Sequence, residues 1–155
     1  MTEPRWLDQR ENRAWRGYRR MRGLLDLQLA RDLAADSGLS EPDYDVLSTL
    51  SETEGHRLRM IDLAGWLLWS KSRLSHHITR MEQRGLVRRE ESPGDGRGAV
   101  VALTPAGLDA IVAAAPGHVE SVRRHLIDHL TEDELETLAA ITTRVVAHLT
   151  AHADT

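Results

Sequence analysis

The sequence predicts a mainly α-helical chain interrupted once by a small β-hairpin. Three observations carry that prediction. Apolar residues recur at helical spacing through most of the 155 residues. Ser, Thr, Asp and Gly stand where such segments begin and end. A Pro- and Gly-rich stretch, 92–98, separates two short strand-like runs.

Each element follows from local chemistry. The first helix is expected over Leu7–Leu33, with Met21, Leu24, Leu25, Leu29 and Leu33 at helical spacing and Ser37-Gly38 as its stop. Ser40 can cap a second helix, with Asp43 at the capping-box position. Tyr44, Leu47 and Leu50 follow at spacing three, and Gly55 closes the segment. A short third helix, Met60–Leu68, turns Met60, Leu63, Ala64 and Leu67 inward. Ser70 caps the fourth, which Gly85 ends as a left-handed residue. Leu86–Glu91 and Ala99–Leu103 form the hairpin. Thr104-Pro105 opens a fifth helix as cap and first helical residue. That helix carries Leu108, Ile111, Val112, Ala115, Val119, Val122 and Leu126, with a kink expected at Pro116-Gly117. Thr131–Glu134 is a capping box for a sixth helix, with Leu135, Leu138, Ile141, Val145 and Leu149 on one face. This order is that of a winged helix-turn-helix, with the lobe at 40–104 inside a single domain spanning 1–155.

Composition narrows the function. The absence of cysteine excludes a disulfide scaffold, a thiolate zinc site and a thiol redox sensor. No apolar stretch follows a basic start, and the longest apolar run, Ala110–Ala115, is too short to span a bilayer. A cytoplasmic chain with no membrane partner is expected. The net charge of −4 argues against a polyanion partner, but its distribution argues for one. Residues 1–56 carry −3, residues 57–97 carry +4, and residues 98–155 carry −5. A basic middle between acidic flanks suits a local nucleic-acid surface.

The fourth helix sharpens this. At 100° per residue, Leu74, Ile78 and Met81 fall within about 60° of one another and form the inward stripe. Ser72, Arg73, His76, Thr79, Arg80 and Gln83 point outward, and that face has no carboxylate. An ordinary solvated face mixes charge signs. The amides and hydroxyls at Ser70, Lys71 and Ser72 can hold a phosphate. Arg73 and Arg80 are long enough to reach guanine N7 and O6, or a phosphate. In the hairpin turn, Arg97 can enter a narrow minor groove, and Asp95 can orient a guanidinium there.

The run Leu63-Ala64, Ser70–His76, Arg80–Arg89, Asp95–Gly98 and Leu103–Gly107 resembles the MarR family of bacterial transcriptional regulators. The resemblance implies a homodimer built by helices 7–34 and 105–150, with two winged lobes that bind double-stranded DNA at a pseudo-palindromic operator. It maps DNA contacts onto Ser70, Ser72, Arg73, His76 and Arg80, and the wing pair onto Asp95 and Arg97. The family often has a basic residue between that pair; here it is Gly96. Repression relieved by a small aromatic or anionic ligand is also implied. Trp15, Tyr18, Tyr44 and Trp66 are the candidate effector residues. For the aromatics of this region, Trp69 included, core packing is the favoured alternative.

Other residues carry less. His125 with His129, and His148 with His152, have spacing that can share a metal, but no cysteine accompanies them and surface or interface histidines are the favoured reading. His76-His77 can make DNA binding pH-sensitive. There is no Gly-rich phosphate loop, ligand triad or nucleophile elbow, so neither an enzyme nor a cofactor is expected. The competing readings are a metal or small-molecule sensor with secondary DNA binding, and a winged-helix module for protein contacts.

Overall fold

The computed structural model describes residues 2–91 and 98–152. The element order is α1 (Gln9–Ser37), α2 (Glu41–Glu52), β1 (Arg57–Arg59), α3 (Met60–Leu67), α4 (Lys71–Gln83), β2 (Val87–Glu91), β3 (Ala99–Leu103), α5 (Pro105–His125) and α6 (Glu132–Ala151). Single 3₁₀ turns precede β1 and α6. The chain divides into two compact units, Leu27–His118 and the pair Met1–Asp26 with Val119–Thr155. No described helix is long and apolar enough to cross a membrane.

The Leu27–His118 unit holds the core. Leu47, Leu50, Leu63, Leu74, Ile78 and Met81 are completely buried. Burying each such side chain contributes about 1.5–3 kcal/mol relative to leaving it in water. Leu33, Val87, Val101, Leu103 and Ile111 join the same cluster. Antiparallel β2 and β3 pair from Val87↔Leu103 to Glu91↔Ala99. The expected hairpin is therefore present. Its tip, 92–97, lies outside the described residues.

Strand β1 was not legible. Only Arg57, Leu58 and Arg59 form it, pairing with Ala102, Val101 and Val100. The result is a three-stranded sheet of order β1-β3-β2. A single apolar residue between two arginines is too short a pattern to read as a strand.

Helix ends follow local chemistry. α1 starts two residues later than expected, because Asp8 and Glu11 cap it reciprocally at 2.7 and 2.9 Å. It runs on to Ser37, whose hydroxyl donates to the Leu33 carbonyl, and Gly38 turns the chain at φ +72°. Of its expected stripe, Leu33 is buried while Met21 and Leu24 are exposed. α2 ends at Glu52, short of Gly55, because Thr53 adopts an extended conformation there. α3 ends at Leu67 and does not include Leu68. Leu68 adopts a left-handed conformation (φ 59°) and is 89% exposed. Its own N–H and that of Trp69 close on the Ala64 and Gly65 carbonyls, and this forms the turn into α4. Pro116 lies inside α5 without ending it, while Val112 and Val119 of the expected apolar set are exposed.

The start of α5 is locked to the turn after α4. The Thr104 hydroxyl donates to the Gly85 carbonyl at 2.6 Å and accepts the Gly107 amide at 3.0 Å. The Thr104 amide donates to the Leu86 carbonyl at 3.2 Å. Gly107 packs so closely on that backbone that a Cβ there would lie 2.0 Å from the Leu86 carbonyl oxygen. The Leu-Thr-Pro-Ala-Gly run is thus a clamp between two elements.

In the other unit, Thr131 and Glu134 cap α6 reciprocally, as expected. Its apolar stripe lies open. Leu135, Ile141, Val145 and Leu149 are between 38% and 61% exposed.

Candidate nucleic-acid interface

α4 is built to present one face. The Ser70 hydroxyl accepts the Arg73 amide at 3.1 Å, so the first turn is capped by a side chain that is itself exposed. No acidic residue occupies that turn. At the other end Gly85, at φ +74°, makes a Schellman closure. The Gly85 amide donates to the Glu82 carbonyl, and the Leu86 amide to the Met81 carbonyl. Between these ends Leu74, Ile78 and Met81 are buried, while Ser70, Lys71, Ser72, Arg73, His76, Thr79, Arg80 and Gln83 are exposed.

The basic segment separates into two sets. Arg57 and Arg88 pair with Glu90, Arg84 with Asp43, and Arg89 with Glu82. None of these ion pairs involves Lys71, Arg73 or Arg80. Arg89 acts as a strut between α4 and β2. Its guanidinium donates to the Ser75 carbonyl (2.8 Å), the Ser75 and Thr79 hydroxyls and Glu82 Oε1 (2.6 Å). Its amide donates to Glu82 Oε2 at 3.1 Å. That amide, with the guanidinium's hydrogen bond and charge, outweighs the desolvation cost and holds the Glu82 carboxyl below its ordinary range. The acid nearest the face is thereby neutralised. Residue type alone does not distinguish this structural arginine from Arg80.

Two further side chains were missed as a pair. Asp43 of α2 is buried; beyond its role in the capping box it accepts Arg84 Nη1 at 2.7 Å and lies 3.0 Å from His77 Nε2. Burial raises its pKa, but the Arg84 hydrogen bond and charge, with the Ser40 amide and hydroxyl, outweigh this and hold it below the carboxylate range. His77 is also buried, and desolvation pushes its pKa below the ordinary imidazole value despite Asp43. Arg80 reaches back to His77 Nδ1 at 3.2 Å. Trp69 meets the His77 ring edge-on at 5.6 Å, and the Arg73 guanidinium lies over Trp69 at 4.2 Å.

The expected wing pair, Asp95 and Arg97, lies outside the described residues. The candidate effector residues fall in different units. Trp15 and Tyr18 belong to one, with rings 6.0 Å apart and both about half exposed. Tyr44 and Trp66 belong to the other. Tyr44 is half-buried against the His118 ring at 4.2 Å. Trp66 is not core: it is 76% exposed beside a cavity of about 350 Å³ lined also by Thr49, Leu58 and Asp62. His129 binds the Arg124 carbonyl and His152 the His148 carbonyl. Among the described residues no three His, Asp or Glu side chains gather as a metal site.

Two helices joined by a tight turn, followed by a hairpin sheet, define a winged helix-turn-helix DNA-binding protein. A family profile, that of the MarR family, matches residues 39–98. The fold is similar to AbsC, a MarR family transcriptional regulator from Streptomyces coelicolor, at TM-score 0.92 and 46% identity over 96% of this chain and 100% of that one. It is similar to Sco3205 of the same organism, a MarR family transcriptional regulator in complex with DNA, at TM-score 0.88 and 41% identity over 95% and 91%. The transcriptional regulator HosA of Escherichia coli O111:H- is 31% identical over 121 residues, 78% of this chain and 87% of HosA. The chain belongs to the MarR family of DNA-binding transcriptional regulators, which are not enzymes.

Proposed function

We propose that this chain is a cytoplasmic, homodimeric, sequence-specific repressor released from its operator by a small aromatic or anionic ligand. The acid-free exposed face of α4 carries the DNA-binding part of this reading, and repression with ligand release is what the family resemblance implies. Ser70, Lys71 and Ser72 take phosphate at the helix start, and Arg73, His76 and Arg80 reach base edges in the major groove. Asp95 and Arg97 place the wing on the adjacent minor groove. Dimerisation through helices 7–34 and 105–150 is supported by the open apolar stripe of α6, since a second copy removes that surface from water.

Selection of bound duplexes from a randomised pool tests the reading. The expected site is a pseudo-palindrome with half-sites about 10 bp apart. Recovery of one unpaired half-site contradicts the dimer. On the selected duplex, Arg73→Ala is expected to lower discrimination at one base pair by about 1–3 kcal/mol. A uniform loss on all duplexes would make Arg73 a phosphate contact. Arg97→Ala is expected to weaken binding, and unchanged affinity removes the wing assignment.

A further inference from the structure

We infer that His77, held by Asp43, is the positioning residue that sets Arg80 for base reading, and that acid releases this brace. The inference rests on the proposed role of Arg80 at the operator.

The neighbours of the ring select its tautomer, since the Arg80 guanidinium can only donate to Nδ1. His77 Nε2 lies 3.0 Å from Asp43 Oδ1, within ion-pair distance but outside hydrogen-bond geometry. An unprotonated nitrogen would set its lone pair against the carboxylate, so the proton resides on Nε2. Nδ1 is then an acceptor, and it faces Arg80 Nη2 at 3.2 Å. A long arginine side chain has many rotamers, and one fixed acceptor at its guanidinium removes part of that entropy before DNA arrives. Asp43 is in turn fixed by Arg84 and by the Ser40 amide. The brace therefore runs from the cap of α2 to the exposed face of α4. Trp69 continues it, with its ring perpendicular to that of His77 and its face under Arg73.

Protonation reverses the contact. A second proton goes to Nδ1, so a donor and a positive charge then face the Arg80 guanidinium. Asp43 from α2 favours the charged ring, while Arg80 and Arg73 from α4 oppose it. Arg84 already occupies the other oxygen of Asp43. Arg80 is expelled from Nδ1 and regains its rotamers.

The test uses the duplex selected by the wild-type chain, its single-base variants and a random duplex. Binding is followed by fluorescence anisotropy at about pH 7.5 and about pH 5.0, the acid value set below an ordinary imidazole's titration because burial lowers that of His77. For the wild type, discrimination at one base pair is expected to fall by roughly tenfold in acid, within the range one bidentate contact supplies. Asn offers an acceptor near the Nδ1 position at any pH, so His77→Asn should keep the neutral-pH discrimination in acid. His77→Ala should discriminate poorly at both pH values while still binding the random duplex. His76→Gln should keep the wild-type fall with pH, whatever it does to affinity. The inference is overturned if His77→Asn falls with pH as the wild type does, or if His76→Gln alone abolishes the fall. If Arg80→Ala reads the selected duplex like the wild type, the operator role of Arg80 fails instead. Should His77→Ala not fold, the wild-type and His77→Asn pH profiles decide.

Discussion

Replacing Gly107 with alanine is expected to destabilise the protein by about 3 kcal/mol, through overpacking against an element that cannot yield easily. The added Cβ would lie 2.0 Å from the Leu86 carbonyl oxygen and 2.8 Å from Leu103 Cδ1. Leu103 can change rotamer, but the Leu86 backbone cannot move alone. Its amide closes α4 on Met81, and its carbonyl accepts from Thr104. Relief of the clash therefore pushes α5 away from the turn or opens the Schellman closure. For a chain of this size the loss corresponds to a fall in melting temperature of roughly 6–12 °C. A shift of only a degree or two in thermal unfolding would show that the clamp is soft.

Removing Asp43 should have the next largest effect. Asp43→Ala deletes half a capping box, leaves the Ser40 amide without its acceptor, and strips Arg84 and His77 of their shared carboxylate. Breaking a fully buried ion pair costs about 3–5 kcal/mol. Arg84 is close to half exposed and can be re-solvated, which reduces that part, while the lost cap adds about 1 kcal/mol. A total of about 3 kcal/mol is expected. Asp43→Asn should cost less, because it retains a capping acceptor.

The pH dependence has a definite sign. The Asp43 pKa is lower folded than unfolded, so its contribution is full above the unfolded value of 3.8 and is lost as pH falls through the folded one. The His77 pKa is lowered from 6.5, so the unfolded chain takes up that proton first. Stability should therefore begin to fall as pH drops through the ordinary imidazole value and fall again as it drops through the ordinary carboxylate value. Asp43→Ala should reduce the second fall in a series of pH-dependent melts, leaving the part that Glu82 contributes. An undiminished fall would assign the acid lability elsewhere.

Capping chemistry was legible because it is local. Ser40 with Asp43, Ser70, and Thr131 with Glu134 act within a few residues of themselves, and each was readable as a cap. The stripe of Leu74, Ile78 and Met81 was readable because burial on a helix repeats with its pitch. His77 and Arg89 were not readable in their roles. His77 sits at the edge of that stripe, and its burial is offset by Asp43, on another helix, and by Arg80. Arg89 counted towards a basic surface until its guanidinium proved to be committed to α4. The stripe on α6 was equally legible, but its meaning depends on a partner surface that one chain does not contain.

The most direct measurement is a salt titration of duplex binding. Wild-type chain and an Arg73→Ala/Arg80→Ala double variant are compared on the wild-type-selected duplex by fluorescence anisotropy, with folding verified by circular dichroism. If the exposed face of α4 reads DNA, wild-type log K falls linearly with log salt. The folded double variant then binds at least roughly tenfold more weakly, and its discrimination between bases is lost. Equal affinity, equal salt slope and equal discrimination in a folded double variant would contradict the assignment of α4 as the reading helix.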